Sequence, residues 1–493
     1  MVSRLSKRVL SILAFLAAGY VLLLIPDLPP MEPSGGESES FTWDRDAYWA
    51  LLENKFREAR EAGCFQLEKQ LASNFSNIEK QLTVLERAVF APQAPEFMRL
   101  QDSLFNLGML VAACPDRLED YIRLFNRLRT VVKDQSANWD INSAEARDCI
   151  YRLLYGGRMA VEEIMLQSPE EALPSAITVV AEPSVTPSGR ILGVNIHSGD
   201  ILVSRGGAPT SALIARGNDY PGNFSHAALV HVDENTRQVS IIESHIEKGV
   251  TVTRIEDYLE DTKLRVMVLR LRAGLPDLQK DPLLPHRAAR YALQRALNEH
   301  IPYDFSMDIN DPSKLFCSEV VSDAYRSTGV RLWSGLSHIS GVGVKTWLAA
   351  FGVRNFVTQE PSDLEYDPQL RVVAEWRDYR TLRQDRLDNA VVDVMLEKAD
   401  AGENLKYDWY KLPLARILKL YSSFLNWFGE VGPIPEGMNA TAALKNEWFS
   451  RQHRSARNKL DELIRNFKME NGYSPPYWEI VKLARQAMAQ SLL

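Results

Sequence analysis

Apolar residues recur at two different spacings along this 493-residue chain, and the two spacings occupy different regions. Between Trp43 and about Gln167 they recur every three or four residues, as on one face of an α-helix. The stripe that follows Pro115 consists of Leu118, Ile122, Phe125, Leu128 and Val132. Similar stripes run over residues 43–61, 67–89, 96–113 and 144–165. The spacing therefore predicts a bundle of four or five helices over residues 41–168.

Short runs rich in β-branched and aliphatic residues begin near residue 200, and they predict strands. The predicted strands are DILVS at 200–204, HAALVHV at 226–232, QVSIIES at 238–244 and LRVMVLRL at 264–271. A polar turn at 233–236 predicts that the second and third strands form an antiparallel hairpin. Helices are predicted from Pro285 to about Asn298, and from Cys317 to a point before Gly329. Helices and strands together indicate the α+β class.

Changes in composition set the predicted domain boundaries. Residues 26–40 and 169–195 are rich in proline and serine and carry no helical stripe, so both are predicted to be linkers. Residues 196–374 hold the predicted strands, and residues 375–493 read as a second helical region. A chain of this length exceeds the size at which a single hydrophobic core stops growing, which also favours several packed units.

The first 25 residues differ from the rest of the chain. Arg4, Lys7 and Arg8 precede the uncharged run VLSILAFLAAGYVLLLI, from Val9 to Ile25. Its length is the lower limit for a helix that crosses the hydrocarbon layer and exceeds a typical signal-peptide core, so an N-terminal transmembrane anchor is favoured over a cleaved signal. Basic residues before the run and acidic residues after it place the remainder outside the cytoplasm, in the periplasm if the source is bacterial. We expect a single-pass membrane protein.

A second apolar stripe lies in the C-terminal helical region. Its members are Leu414, Ile417, Leu418, Tyr421, Leu425 and Phe428, and the opposite face carries Arg416, Lys419 and Ser422. A stripe of this kind either lies on a membrane surface or packs against its own protein. Packing against its own protein is the expectation.

Charge and cysteine usage exclude several classes of protein. The net charge is −7 and no basic face interleaved with aromatic residues occurs, which argues against a nucleic-acid partner. None of the four cysteines lies in a CxxC pair, which argues against a structural zinc site. Export would permit a disulfide among Cys64, Cys114 and Cys149, and which two pair stays open.

The fourth cysteine, Cys317, needs a separate explanation. It opens the predicted helix CSEVVSDAY, where the helix N-terminus stabilises a thiolate and backbone N–H groups are available to an oxyanion. His226 lies at the start of one predicted strand, and Glu243 lies on the next, where it could orient the imidazole towards the sulfur. The pattern predicts a nucleophile, a base and an orienting acid. The alternative is that Cys317 fills the core.

Neighbouring residues leave further alternatives open. His245 shares a strand face with Glu243 and could replace it as the orienting group. Tyr303 either lines the site or closes the core, and His231 should face away from His226. Glu319 is favoured by the helix dipole whatever the function, so it is left out of the catalytic set. No metal-ligand spacing is present, and we expect neither a metal nor a cofactor.

The order of these elements resembles that of the YiiX/YebB-like permuted papain-fold hydrolases of the NlpC superfamily. The elements are Gly199-Asp200, Ser225-His226, Glu243, Tyr303-Asp304 and Cys317-Ser318-Glu319, and the resemblance spans about residues 196–330. It implies an antiparallel papain-like sheet in which the histidine precedes the cysteine, here flanked by all-helical regions. It also implies Cys317 as nucleophile, His226 as base, Glu243 as third member and Tyr303 at the site, with no metal.

The resemblance implies an amidase or peptidase. The expected function is a membrane-anchored, extracytoplasmic cysteine hydrolase that cleaves amide bonds in peptides, peptidoglycan peptides included, through a thioester. One alternative keeps this core and makes it a lipid acyl hydrolase or acyltransferase. Another is a non-catalytic module that presents its helical regions to a protein partner in the cell envelope.

Overall fold

The computed structural model describes residues 18–27, 39–170 and 175–490. Long helices occupy the region where the sequence predicts a bundle. They are α1 (Asp46–Ala62), α2 (Cys64–Arg87), α3 (Pro95–Ala113), α4 (Leu118–Ser136) and α5 (Ala144–Gln167). Their apolar stripes meet in one core, in which Leu82, Leu104, Leu128 and Leu154 are fully buried.

A disulfide joins Cys64 to Cys114 and so resolves the pairing that the sequence leaves open. It connects the first residue of α2 to the residue that follows α3. Cys149 and Cys317 are free thiols, and both are buried.

A seven-stranded antiparallel sheet lies at the centre of the chain, with the order β1-β11-β8-β4-β5-β6-β7. Its strands are β1 (Ala176–Thr178), β4 (Ile201–Gly206), β5 (His226–Val232), β6 (Val239–His245), β7 (Gly249–Arg254), β8 (Lys263–Leu271) and β11 (Leu370–Trp376). Two separate two-stranded sheets are formed by β2 (Ser188–Ile191) with β3 (Val194–His197) and by β9 (Ser337–His338) with β10 (Val357–Thr358). The four predicted strands and the predicted β5–β6 hairpin are confirmed, as is the α+β class.

The remaining helices lie around this sheet and towards the C-terminus. They are α6 (Pro209–Arg216), α7 (Ile255–Glu260), α8 (Pro276–Lys280), α9 (Leu284–Asn298), α10 (Cys317–Arg326), α11 (Val342–Phe351), α12 (Asp363–Tyr366), α13 (Tyr379–Asp400), α14 (Leu412–Asn426), α15 (Ala440–Asn471) and α16 (Tyr477–Gln490). α9 and α10 confirm the two predicted helices of the central region. Both pack on β5, where their apolar residues and those of the sheet form a common core.

Two parts of the sheet come from outside the region where strands are expected. The segment predicted to be a linker, residues 169–195, contributes β1 to the sheet edge and forms the β2 strand. β11 lies between β1 and β8, second from one edge of the sheet, and extends past residue 374 to Trp376. The central sheet therefore uses residues on both sides of the predicted region 196–374.

A buried network of ion pairs connects the bundle, the sheet and the C-terminal helices. Glu162 of α5 pairs with Arg265 of β8 at 2.5 and 3.1 Å, and Arg265 pairs in turn with Asp385 of α13. Arg158 of α5 binds both carboxylate oxygens of Glu365 in α12, at 2.7 and 2.9 Å. These five side chains are at most 3% exposed. Charges buried this deeply are tolerated because each has a partner of opposite sign.

The prediction that the Leu414 stripe packs against its own protein is wrong. In α14 the small residues Ala415 and Ser422 face the protein, whereas Leu414, Ile417 and Tyr421 are each more than half exposed. The helix is turned this way because Lys419 on its inner side donates a hydrogen bond to the carbonyl of Pro435, 2.7 Å away. The large apolar side chains are left on the outer face.

The predicted transmembrane segment, residues 9–25, lies mostly outside the described residues. Its last part, residues 18–25, is described and ends next to α14. Within residues 18–27, 39–170 and 175–490, no helix is both long enough and apolar enough to cross a membrane.

Candidate active site

Cys317 is the first residue of α10, and its side chain is almost fully buried. At this position the sulfur lies at the positive end of the helix dipole, where the first backbone N–H groups have no acceptor within the helix. The Sγ lies 3.9 Å from the carbonyl oxygen of Ser225, the residue that precedes β5. The nucleophile candidate therefore lies against the chain segment that carries His226.

Two hydrogen bonds position the start of α10 against the sheet. The hydroxyl of Ser244, in β6, donates to the carbonyl of Leu315 at 2.6 Å. The N–H of Leu315 donates to the carbonyl of Pro302 at 3.1 Å, and this bond brings the segment that contains Tyr303 alongside. Because Ser244 directly follows Glu243 in the same strand, the contact also sets the distance between the acid and the cysteine.

His226 is the first residue of β5, and its imidazole contacts both other members of the predicted set. Its Nε2 lies 2.7 Å from Oε2 of Glu243, which is brought alongside because Ala228 is the register partner of Glu243 in the β5–β6 pair. The imidazole also makes a side-chain hydrogen bond with Cys317. Since Nε2 is taken by the carboxylate, Nδ1 is the nitrogen that remains for the sulfur. The structure thus brings together three residues that lie far apart in sequence.

The charge state of His226 follows from these contacts. Burial lowers the pKa of His226, but its hydrogen bonds with Cys317 and Glu243 outweigh burial and raise that pKa to about 10. The imidazole is therefore protonated at neutral pH. A protonated imidazole beside a sulfur stabilises the thiolate form of the cysteine.

Glu243 lies between two imidazoles. Its Oε1 lies 3.1 Å from Nε2 of His245, while Oε2 binds His226. Burial raises the pKa of Glu243, but the hydrogen bonds with His226 and His245 prevail and hold that pKa well below its usual range. The carboxylate is almost fully buried and ionised. His245 accordingly binds the far side of Glu243, where it supports the carboxylate instead of replacing it.

Tyr303 lies in the loop before α10, and its ring packs edge-on against Phe305 with centroids 5.0 Å apart. Burial and the charge of Cys317 raise the pKa of Tyr303 well above its usual value, so its hydroxyl remains protonated. Asp304 shapes this loop, because its carboxylate accepts the backbone N–H groups of Ser306 and Asp308. Tyr303 is therefore close enough to Cys317 to line the site.

Two further acids lie near Cys317, and one of them was not predicted. Burial raises the pKa of Glu319 to about 9, even though its carboxyl accepts the N–H of Phe316 at 3.1 Å. Glu360 comes from the loop before α12, and burial, Asp363 and Cys317 raise its pKa well above the usual range. The raised pKa of each acid favours its neutral form, which does not repel a thiolate. No motif marks Glu360 in the sequence, since it lies in the ordinary polar run QEPSD.

Other residues of the motif have structural roles. The carboxylate of Asp200 binds Arg270 at 2.7 and 2.8 Å and accepts the N–H of His197. Gly199 has φ +95°, and a side chain there would collide with the backbone of Pro285. His231 faces the helices and stacks on His286, with ring centroids 5.4 Å apart, as expected for a packing residue. These residues lie at the end of β4 and β5 opposite His226, because Ser204 is the register partner of His226 whereas Asp200 lies beside Val230.

In the described part of the chain, no group of three or more histidine, cysteine, aspartate or glutamate side chains is arranged to hold a metal ion. The acids next to Cys317 are Glu319 and Glu360, whose pKa values are raised, whereas Glu243 is already bound by two imidazoles.

Comparison with known families gives one match. Residues 195–374 match the model of a family described as permuted papain-like amidase enzyme, YaeF/YiiX, C92 family. This match confirms the resemblance inferred from the motif order, and the antiparallel sheet is consistent with that fold. The matched residues include Cys317, His226 and Glu243. Comparisons with curated proteins and with solved structures gave no match.

Proposed function

We propose that the region matching this amidase family is a cysteine hydrolase that cleaves amide bonds through a thioester intermediate. The observation that carries the proposal is the position of the His226 imidazole between the Glu243 carboxylate, at 2.7 Å, and the Cys317 thiol at the start of α10. In the proposal Cys317 is the nucleophile, His226 transfers protons and Glu243 orients His226. Peptides, peptidoglycan peptides included, are the proposed substrates.

The first half of the reaction forms the acyl-enzyme. The thiolate of Cys317 attacks the carbonyl carbon, and the negative charge moves to the carbonyl oxygen, which the N–H of Cys317 stabilises. The C–N bond then breaks, and the protonated imidazole of His226 gives its proton to the leaving nitrogen. The amine departs, and the acyl group remains on sulfur as a thioester.

The second half of the reaction returns the enzyme to its starting state. The neutral imidazole of His226 takes a proton from a water molecule, whose oxygen attacks the thioester carbonyl. The C–S bond breaks, the carboxylic acid leaves, and the thiolate of Cys317 is regenerated beside the protonated His226. Glu243 stabilises the imidazolium in both halves.

An electrophilic label provides the direct test of this site. With iodoacetamide at neutral pH, Cys317 should react at least about tenfold faster than a small free thiol, because a protonated imidazole beside a sulfur favours the reactive thiolate. Cys149 provides an internal control, since burial raises the pKa of its thiol to about 12. Peptide mapping of samples taken at successive times gives the labelling rate of each cysteine separately. In His226→Ala the rate at Cys317 should fall to that of the free thiol or below.

The same experiment identifies the non-catalytic alternative. If Cys317 reacts no faster than the free thiol in the wild type, the thiol is not activated and the hydrolase proposal is overturned. An unreactive Cys317 would favour a module that binds an envelope protein through its helical regions.

Glu243→Gln should shift the pH dependence of amide hydrolysis. The pKa of His226 is raised to about 10 in part by Glu243, so the imidazolium is present below that pH and is lost above it. Above this pKa the imidazole can no longer give a proton to the leaving amine, so amide hydrolysis falls. Removal of the carboxylate charge lowers the pKa of His226, and this alkaline fall in hydrolysis should move to lower pH. We also expect amide hydrolysis to fall by roughly 10²-fold, because the imidazole loses its orienting acceptor.

His245→Gln is the matched control for Glu243→Gln. His245 binds the other oxygen of the same carboxylate and makes no contact with the sulfur that the structure records. In His245→Gln the alkaline fall in hydrolysis should therefore move by a smaller amount. If the alkaline fall in hydrolysis stays at the same pH in Glu243→Gln, Glu243 does not control the charge of His226.

The cellular setting is part of the same proposal. The run from Val9 to Ile25 would anchor the protein in a membrane, and the charge distribution around it would place the hydrolase outside the cytoplasm. Protease treatment of intact cells or spheroplasts tests this topology, because an external catalytic region is digested without lysis.

A lipid amide or ester is the second candidate substrate. It is favoured by the exposed apolar face of α14, which lies close to the loop that carries Tyr303. Parallel assays with phospholipid vesicles and with muropeptides distinguish the two substrates. Transfer of the acyl group to an acceptor other than water would make the same site an acyltransferase.

A further inference from the structure

The outer face of α14 is apolar along its whole length. The exposed apolar side chains on and next to this helix are Trp409, Tyr410, Leu414, Ile417, Leu418, Leu420, Tyr421, Phe424, Trp427 and Phe428. We call this set the α14 face. Its members are between 36% and 86% exposed in the described structure, and a continuous apolar surface of this kind marks an interaction site.

The polar groups of α14 point the opposite way from those of an ordinary surface helix. Lys419 bonds to the carbonyl of Pro435, and Ser422 accepts the N–H of Ile434 at 3.0 Å, so both polar side chains face the protein. The helix sequence LPLARILKLYSSFLN contains no aspartate or glutamate. A helix with an acid-free apolar outer face is suited to a lipid surface, where an acidic group would lose its hydration.

Aromatic residues with polar edges stand at both ends of the α14 face. Trp409 and Tyr410 precede the helix, and Trp427 follows its last residue, with 86% of Trp427 exposed. Tryptophan and tyrosine are enriched at membrane–water interfaces, because their rings enter the headgroup layer while their polar groups stay hydrated. The distribution matches a helix that lies parallel to a bilayer surface.

The end of the N-terminal apolar run lies on this helix. The carbonyl of Ile25, the last residue of the run, accepts a hydrogen bond from Arg416 of α14. Asp27 also binds Arg416, at 3.2 Å, and accepts the N–H of Thr441 at the start of α15, at 3.1 Å. Arg416 and Thr441 thus fix the point where the run from Val9 to Ile25 ends.

We propose that the α14 face lies in the interface of the same bilayer that the N-terminal segment enters. If that segment is an anchor, Ile25 lies at the membrane surface, and its hydrogen bond to Arg416 places α14 at the same depth. The inference rests on the anchor of the proposed function and is independent of catalysis. The protein then has two adjoining membrane contacts, one that crosses the bilayer and one that lies on it.

A lipid surface explains the α14 face better than a protein partner does. The described end of the N-terminal run has the same character, since Tyr20, Val21, Leu22 and Ile25 are each at least half exposed. These residues and the α14 face are joined through Arg416, so the two apolar surfaces adjoin. A partner protein would account for the helix alone, whereas a bilayer accounts for both.

The arrangement also fixes the position of the candidate active site relative to the membrane. Phe305 packs in the small core formed by Leu412 and Ala415 of α14, and its ring contacts Tyr303 of the site. His300, in the same loop, lies 3.3 Å from Glu436. The loop that lines the site thus rests on the element that contacts the bilayer, so the site lies near the membrane surface.

Depth-dependent quenching tests the position of α14 without any activity. The full-length Cys317→Ser protein would carry an environment-sensitive NBD label at Trp427→Cys or at Ile417→Cys. The labelled protein would be reconstituted in vesicles of phosphatidylethanolamine and phosphatidylglycerol. Nitroxide-labelled lipid should strongly quench the fluorescence of both labels. Quenching of both labels by aqueous iodide should be several-fold weaker than that of a water-exposed label. Cys149 stays unlabelled because burial raises its pKa to about 12.

Met469→Cys is the matched control. Met469 is an exposed apolar residue of α15, 76% accessible, and it lies about 42 Å along the helix from Thr441 at roughly 1.5 Å per residue. Its label should remain open to iodide and unaffected by nitroxide lipid. The proposal is overturned if the Trp427 label behaves like the Met469 label, or if the protein does not float with the vesicles. Protection from iodide without quenching by lipid would also overturn it, in favour of a second copy or another protein.

Discussion

Cys317→Ala should abolish hydrolysis, by at least about 10³-fold, and leave the midpoint of thermal unfolding almost unchanged. The large loss is expected because no other thiol lies next to His226 and the thioester cannot form without sulfur. The small effect on stability is expected because the change removes one atom and places alanine, the best helix former, at the first position of α10. Release of amine from muropeptides, release of fatty acid from vesicles and a thermal unfolding curve measure these effects.

Cys149→Ala is the matched control, because Cys149 is the other free thiol and is also buried. It lies in α5 within the core of the bundle, where loss of the sulfur leaves a small cavity. We expect about 1 kcal/mol of destabilisation and full activity. The opposite pattern, with activity retained in Cys317→Ala and stability lost, would make Cys317 a core residue.

The parts of the fold that were predictable are those encoded in short stretches of sequence. β5 and β6 could be identified because HAALVHV and QVSIIES are β-rich and separated by a polar turn. α10 could be placed at Cys317 because an apolar stripe begins there and Gly329 follows it. Once β5 and β6 form a hairpin, register brings Glu243 beside Ala228 and within reach of His226.

The parts that could not be predicted depend on contacts between distant segments. β1 has three residues and exists because it pairs with β11, almost two hundred positions later. The orientation of α14 was predicted wrongly, since its amphipathic pattern identifies an apolar face but does not determine what that face contacts. Glu360 joins the site through a loop whose path is set by the whole domain. No local pattern encodes these features.

The flanking helices have a role in the site that their sequence does not reveal. Arg216, in the segment between β4 and β5, pairs with Asp393 of α13 at 2.7 Å, and Tyr151 of the bundle donates to the carbonyl of Pro221 at 2.7 Å. This segment is thus held between the bundle and α13. His226 begins β5 directly after it. The helices on both sides of the central sheet region therefore support the segment that leads to the candidate base.

The same dependence on distant segments leads to the prediction with the largest effect on stability, which concerns Glu162. Its fully buried carboxylate lies within hydrogen-bond distance of Arg158 and Arg265, and the buried guanidinium of Arg377 lies 3.8 Å away. In the wild type these arginines share the Glu162 carboxylate. Glu162→Ala removes it and leaves the arginines buried without that partner. We expect the free energy of unfolding to fall by about 3–5 kcal/mol, because removal of one partner exposes the full desolvation cost of the other. The midpoint of urea unfolding measures this loss.

Glu86→Ala separates the effect of burial from that of losing an ion pair. Glu86 also forms a two-point pair, with Arg127, at 2.8 and 2.9 Å, but both side chains are more than one-third exposed. An exposed pair contributes at most about 1 kcal/mol, because water and salt screen the charges. If Glu162→Ala costs no more than Glu86→Ala, the buried network does not hold α5, β8 and α13 together. A several-fold larger loss for Glu162→Ala would show that stability in this protein depends on the charges buried where its helical regions meet the sheet.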